Sequence, residues 1–167
     1  MASLRSVRAT SLRASFVLIA LSLAGCGDDL VEPVDSGPRT PAEVEYDPAL
    51  GIVLEEMTIL ENGLYIQILE EGDPETDPVT EGTVLVDYTL WLPNGSQMDS
   101  SAGRGPLSFT FGDGDVIVGF EEGVSGMRIG EVRWILVPSE LGYGGRPNGA
   151  IPANSVLIFQ VELVSAS

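Results

Sequence analysis

An α+β fold, one antiparallel sheet with a single short helix, is what this 167-residue chain predicts, and three observations predict it. Residues 155–164 alternate with a period of two. Leu157, Phe159, Val161 and Leu163 share one face, and Val156, Ile158, Gln160 and Glu162 share the other. Asn94-Gly95 sits at the centre of a turn after a strand-like run, a strong short-range hairpin signal. Helical spacing is plausible in one stretch alone, where Phe120, Val124 and Met127 fall at i, i+4 and i+7 and share a face.

Taken in order, residues 50–60 alternate weakly and read either as a covering strand or as a loose lead-in. Leu64, Ile66 and Ile68 alternate with Tyr65, Gln67 and Leu69, as in a half-buried strand. Residues 71–82, with Pro74 and Pro78, are a loop. Residues 83–92 are rich in Val, Leu, Tyr and Trp, which favours a strand leading into the turn 93–96. Residues 107–111 form another short strand. Glu121 and Glu122 lie in the first turn of the helix, where they complement its dipole, and Gly123 and Gly126 keep it short. Residues 132–137 are a strand ended by Pro138, and 139–154 a long loop rich in glycine and proline. The domain so outlined spans 59–167, enough chain for a single core.

The amino-terminal end has a different character. Arg5, Arg8 and Arg13 precede an apolar stretch from Ala14 to Ala24, followed by small residues, which is the pattern of a secretory signal peptide. The run Leu23-Ala24-Gly25-Cys26 resembles the lipobox of bacterial lipoproteins, whose cysteine is acylated and becomes the first residue. That likeness implies a signal peptide over 1–25, a lipid on Cys26 and a tether to a membrane outside the cytoplasm. The apolar stretch is about half as long as a spanning helix requires. Residues 26–58 then read as the lipidated cysteine and a flexible acidic linker. Pro33, Pro38 and Pro41 and the lack of periodicity leave too little apolar surface to offset ordering. A proline-rich linker makes no dimerisation helix, so a monomer is expected. Gly27 stands where an inner-membrane retention signal would place aspartate, which favours the outer membrane, periplasmic side, in a bacterium with two membranes.

Composition prunes the chemistry. The net charge is −17, with neither histidine nor lysine. Without residues 1–26, five arginines face 25 acidic residues, about −20. Such a chain repels phosphate backbones, so nucleic-acid binding is excluded. Catalysis through a Ser-His-Asp or Cys-His arrangement is excluded too. With one cysteine, Cys26, there is no disulfide and no Cys/His zinc site. Asp113-Gly114-Asp115 opens like a calcium loop, but Ile117 and Val118 replace the next ligand and the glycine. Gly142-Tyr143-Gly144-Gly145 lacks the third glycine of a dinucleotide fingerprint and enters no helix. The sequon Asn94-Gly95-Ser96 has little meaning in a bacterial lipoprotein.

The remaining motifs are specific through their order. Val86-Asp87-Tyr88-Thr89-Leu90 is followed by Asn94-Gly95, Met98-Asp99-Ser100-Ser101 and Val116-Ile117-Val118-Gly119-Phe120-Glu121-Glu122-Gly123-Val124. Next come Met127-Arg128-Ile129-Gly130-Glu131, Ile135-Leu136-Val137-Pro138, Leu141-Gly142-Tyr143-Gly144 and Ile151-Pro152-Ala153-Asn154, which runs on to Leu163. Over residues 62–165 this order resembles the FKBP-type peptidyl-prolyl cis-trans isomerases. The resemblance implies a curved antiparallel sheet wrapped around one short helix. It also implies catalysis of X-Pro isomerisation on proline-containing polypeptide segments, in a lipid-anchored form assisting exported proteins. The alternative it leaves is a weakly active or inactive binding or chaperone lipoprotein on the same fold.

Carried over by position, the resemblance implies catalytic roles for Tyr88, Asp99, Ile117 and Tyr143. Met98, Leu107, Phe109, Val116, Phe120, Ile151 and Phe159 would line the proline pocket. Val116, Ile117, Phe120 and Phe159 would hold the proline ring. The Ile117 N–H and the Tyr143 hydroxyl would orient substrate carbonyls, and Tyr88 would fix Asp99 near the carbonyl that rotates. Arg104 is the natural ion-pair partner for Asp99. Phe120 stands where the family often has tryptophan, and Met98 and Leu107 replace frequent aromatics. No metal and no organic cofactor is implied.

Overall fold

The computed structural model describes residues 37–167, so the expected signal peptide, Cys26 and the first part of the linker lie outside the described residues. The strands are β1 (Thr58–Ile59), β2 (Tyr65–Glu70), β3 (Thr83–Trp91), β4 (Gln97–Ser100), β5 (Leu107–Thr110), β6 (Val132–Val137) and β7 (Leu157–Ala166). The α-helix, α1, is Val118–Val124. The seven strands form one sheet in the order β1-β2-β6-β7-β3-β4, with β5 beside β3. Every pairing is antiparallel. The long β3 is shared lengthwise: residues 83–86 pair with β5 and residues 89–91 with β4. Register breaks at Ile68/Glu70, Leu85/Val86 and Leu90/Trp91 add local bend and twist, which lets the sheet curl around the helix.

The expected alternation of β7 is the organising feature of the core. Leu157, Phe159, Val161 and Leu163 point to the inner face, with Val84, Val86 and Leu90 of β3 and Ile135 and Val137 of β6 beside them. Phe120, Val124 and Met127 close the core from the helix side and are all nearly inaccessible. Gly126, at φ 81°, stops the helix in the left-handed conformation that favours glycine, and its N–H donates to the Val79 carbonyl at 2.7 Å. Gly123 does something other than shorten the helix. A Cβ at Gly119 would collide with the Val137 side chain, and one at Gly123 with Ile135. Four residues apart on one face, the two glycines let the helix backbone lie directly on β6.

Arg133 is the one buried cation among the described residues, and the fold satisfies it fully. Its Nε and Nη2 donate to Glu131 Oε1 at 2.8 and 2.5 Å. Its Nη1 donates to the Gly123 carbonyl at 2.8 Å and to Ser125 at 3.3 Å, serving carbonyls that the end of α1 leaves without partners.

The structure departs from expectation at residues 41–57. Much of the stretch read as flexible linker up to residue 58 is ordered, as 3-10 turns at Pro41–Glu43, Pro48–Leu50 and Leu54–Glu56 leading into β1. Tyr46, Leu50, Ile52, Leu54 and Met57 pack over Tyr65, Trp91, Trp134, Leu136 and Ile158 on the outer face of the sheet. Burial raises the Tyr46 hydroxyl above its ordinary pKa, with the neighbouring Tyr65 adding to the effect, and that hydroxyl donates to the Pro41 carbonyl at 2.7 Å. The cover is pinned at two further places. The Asp47 N–H donates to the Pro93 carbonyl at 2.7 Å, and the Ser139 N–H to the Arg39 carbonyl at 2.9 Å.

Candidate functional site

On the inner face, beside the start of α1, the core opens into a cavity of about 380 Å³. Its floor is Phe120, 3 % exposed, held edge-on by three rings. The centroids of Phe159, Phe109 and Tyr88 lie 4.9, 5.8 and 6.0 Å away, each at a steep interplanar angle. This is the edge-to-face arrangement that aromatic quadrupoles prefer. Tyr88, Leu90 and Phe159 rise from the sheet as one wall, and Gly114, Asp115, Val116 and Ile117 form another. Leu107 from β5 and Tyr143 complete the rim. Carboxylate Oε2 of Glu121 accepts from the Gly112 N–H at 3.2 Å, tying the second wall to the helix it precedes.

Tyr143 is carried by the loop after β6, which Pro138 begins. The Gly142 and Gly144 N–H groups donate to the Ser139 carbonyl at 3.1 and 2.8 Å, and the Asn154 N–H donates to Gly144 at 2.7 Å. Asn154 is the one non-glycine residue at positive φ, 57°, among the described residues. Neither the Tyr143 hydroxyl nor the Ile117 N–H finds a partner among the described residues, and both belong to residues lining the cavity. Each therefore retains a free donor for a carbonyl of a bound peptide.

The polar edge is a three-residue relay. The Tyr88 hydroxyl donates to Asp99 Oδ2 at 2.5 Å, the Ser100 N–H donates to Asp99 Oδ1 at 2.9 Å, and Arg104 forms an ion pair with the same carboxylate. Burial pushes the Asp99 carboxyl upward. The hydrogen bonds from Tyr88, Ser100 and Arg104, with the guanidinium charge, outweigh it and hold Asp99 below the usual carboxylate range. Tyr88 is raised, first by burial and then by its hydrogen bond to Asp99 and that charge. Asp99 is an ionised acceptor and Tyr88 a neutral donor at any pH near neutrality.

Of the eleven pocket residues expected from the resemblance, eight line this cavity: Tyr88, Asp99, Leu107, Val116, Ile117, Phe120, Tyr143 and Phe159. Three do not. Phe109 is 1 % exposed and lies behind the floor, wedged between Phe111 and Phe120, so it supports the pocket without reaching it. Ile151 is turned into the core by a two-way backbone bridge with Asn148. Met98 packs against the core beside Asp99, which takes the cavity-facing place on β4. Leu90, Gly114 and Asp115 line the cavity without having been expected there. Leu90 was detectable, since it lies two residues after Tyr88 on the same strand and hence on the same face. A wider hollow of about 640 Å³ on the other face is bordered by Glu70, Asp87, Thr89, Ser100, Gln160 and Glu162. Its lining is more polar than that of the smaller cavity and lacks the Phe120 floor.

An aromatic-floored cavity with two free donors and one fixed carboxylate suits a reaction that needs no proton transfer. Isomerising an X-Pro bond requires the amide to lose its planar resonance over a barrier of about 18–20 kcal/mol. The twisted amide carries less charge separation than the planar one, so apolar surroundings favour it relative to water. Binding that form more tightly than the planar form is sufficient for catalysis.

Comparison with known proteins agrees with this chemistry. Residues 75–164 match the family described as FKBP-type peptidyl-prolyl cis-trans isomerase. An FK506-binding protein of Neisseria meningitidis serogroup B is 45 % identical over 104 residues, which cover 61 % of this chain and 94 % of that protein. FK506-binding protein 1A of Neurospora crassa is also 45 % identical, over 105 residues, covering 62 % of this chain and 88 % of its relative. The crystal structure of AtFKBP13 superposes with a TM-score of 0.61 at 31 % identity, covering 67 % of this chain and 99 % of that one. The chain belongs to the FKBP-type family and is a peptidyl-prolyl cis-trans isomerase.

Proposed function

We propose that this FKBP-type isomerase works as a lipid-tethered monomer on proline-containing segments of exported proteins, through the aromatic cavity beside α1. The observation that carries the site is the cavity itself: an aromatic floor at Phe120, free donors on Ile117 and Tyr143, and the Tyr88–Asp99–Arg104 relay at its edge. The proline ring rests on Phe120 and Phe159, with Val116 and Ile117 beside it. The Ile117 N–H and the Tyr143 hydroxyl hold the carbonyls flanking the bond, and Asp99 faces the carbonyl that rotates. The relatives favour this reading over a weakly active binding or chaperone module, although Met98 and Leu107 replace aromatics. The FK506 named in those relatives would compete for the same cavity.

The tether rests on Leu23-Ala24-Gly25-Cys26 and the basic, apolar segment before it. Residues 1–25 are removed and Cys26 is acylated. Gly27 directs it to the outer membrane, periplasmic side, where two membranes exist.

The cis-to-trans rate of a proline test peptide, measured with the full chain, tests the site. Tyr143→Phe removes one hydrogen bond and is expected to lower kcat/KM about two- to tenfold. Asp99→Ala is expected to lower it further. Undiminished rates in both variants would rule out this assignment. Labelling with a radioactive fatty acid tests the tether: label on the wild type and none on Cys26→Ala supports it, and an unlabelled wild type sinks it.

A further inference from the structure

The cavity wall before α1 carries a charge that the chemistry of isomerisation does not use. Asp115 lines the cavity and is exposed at its mouth. Asp99, the other carboxylate on the lining, is countered by Arg104. Asp115 forms no ion pair with any described residue, and Asp113 stands two residues before it. The chain offers little to neutralise them, having no lysine and no histidine. With Arg104 committed to Asp99, two more of the five arginines within the described residues are held elsewhere. Arg133 is buried against Glu131, and Arg128 donates to the Pro74 and Thr76 carbonyls. Arg146, on the loop after Tyr143, is not part of the lining.

We propose that Asp115 is a specificity-determining residue that selects substrates bearing lysine or arginine next to the isomerising proline. The inference rests on the cavity being the proline site, because a ring seated on Phe120 leaves its flanking residue at the mouth beside Asp115. There the substrate cation supplies the counter-charge that the protein does not. Two electrostatic effects act together and separate experimentally. The overall negative charge draws basic peptides from a distance and is a property of the whole chain. Asp115 acts at contact range and discriminates by the position of the cation in the peptide.

The test compares kcat/KM for proline peptides that differ only in lysine, leucine or glutamate at one residue adjoining the proline, on either side, using the full chain. At low ionic strength the wild type is expected to prefer lysine to leucine by about two- to fivefold on one side of the proline, the size of an exposed ion pair. In about 1 M salt, where the screening length is about 3 Å, the preference shrinks toward unity. Asp115→Asn is expected to remove it, whereas Asp113→Asn, the same change of charge outside the cavity, retains it. Each ratio is internal to one enzyme, so a partly misfolded variant lowers both rates and leaves it unchanged. A lysine preference that survives in Asp115→Asn assigns selection to the field of the whole chain and overturns the proposal, as does equal turnover of all three peptides. Absence of turnover on every peptide, leucine included, instead overturns the assignment of the cavity.

Discussion

The same sheet carries an aromatic cluster on each face, and the two have opposite fates. On the inner face Phe120, Phe159, Phe109 and Tyr88 meet edge to face and leave a cavity open at one end. On the outer face Trp91 and Trp134 meet in a similar geometry, centroids 5.5 Å apart, and residues 46–57 lie over them. Apart from Phe109 and Phe120, both clusters arise from strands that carry apolar residues on each face. The neighbouring elements make the difference: α1 adds Phe120 to the inner cluster and leaves a cavity above it, whereas a chain of 3-10 turns packs over the outer one. A sealed cluster contributes its burial to stability, whereas an open one holds apolar surface in reserve for a ligand.

Uncovering the outer cluster is the strongest way to break that contrast. Deleting residues 39–57 removes Tyr46, Leu50, Ile52, Leu54 and Met57 from Trp91 and Trp134. A fully buried side chain of this kind contributes about 1.5–3 kcal/mol, and these are mostly half-buried. A loss of several kcal/mol is expected, a large part of the roughly 5–15 kcal/mol that keeps a domain folded. Because both tryptophans of the chain sit in this cluster, the deletion should lower the urea midpoint and shift tryptophan emission to the red. An unchanged emission maximum would show that the cover is dispensable.

The next effect sharpens the contrast by striking each cluster once. Phe120→Ala takes away the cavity floor and a buried aromatic together, with about 3–5 kcal/mol expected in a urea melt and turnover close to the uncatalysed rate. Trp134→Ala is expected to lower stability while leaving kcat/KM per folded molecule near that of the wild type. Equal losses of turnover in both variants would mean that the two faces are energetically coupled.

Legibility in the sequence divides along the same line. The inner face was readable because it is built from regular elements. Alternation in β7 and the spacing of Phe120, Val124 and Met127 are periodic signals, and the hairpin turn has its own residue signature. The order of motifs then implied eight of the residues that do line the cavity. The cover was only partly readable: a covering strand was one of two readings of residues 50–60, whereas residues 41–49 read as linker. Short 3-10 turns leave no period, and Tyr46, Leu50, Ile52 and Leu54 stand among acidic residues and prolines that by composition suit a solvated linker. Its order depends on Trp91 and Trp134, distant in sequence, presenting a surface to cover. Ile151 and Phe109 show the limit in the other direction. A position that matches a motif can lie one layer behind the surface when a backbone bridge or a neighbouring ring turns it inward.

The smallest effect concerns the polar edge of the open cluster. Asp99 is held below its ordinary pKa in the folded chain. Its contribution is therefore present above the unfolded carboxyl value, about 3.9, and is lost as the pH falls through the folded one. Removing the guanidinium in Arg104→Gln raises the Asp99 pKa toward the ordinary value. The acid limb of the rate profile should move upward with it, with little change at neutral pH. An acid limb that stays in place would remove Asp99 from the rate-determining geometry.

The placement of β7 has a consequence for how the domain comes into being. It is the last strand in sequence, yet it lies between β6 and β3. A chain emerging from its amino end therefore carries two unjoined ribbons, β1-β2-β6 and β3 with β4 and β5, until the final strand arrives to bridge them. Each ribbon meanwhile presents an unpaired edge of backbone donors and acceptors, the kind of edge that templates aggregation. Closure also requires contacts spanning roughly seventy residues or more, between β3 and β7, which makes folding slow relative to helical domains of similar size. This isomerase domain is thus committed to its fold only when residue 157 and those after it are free to pair.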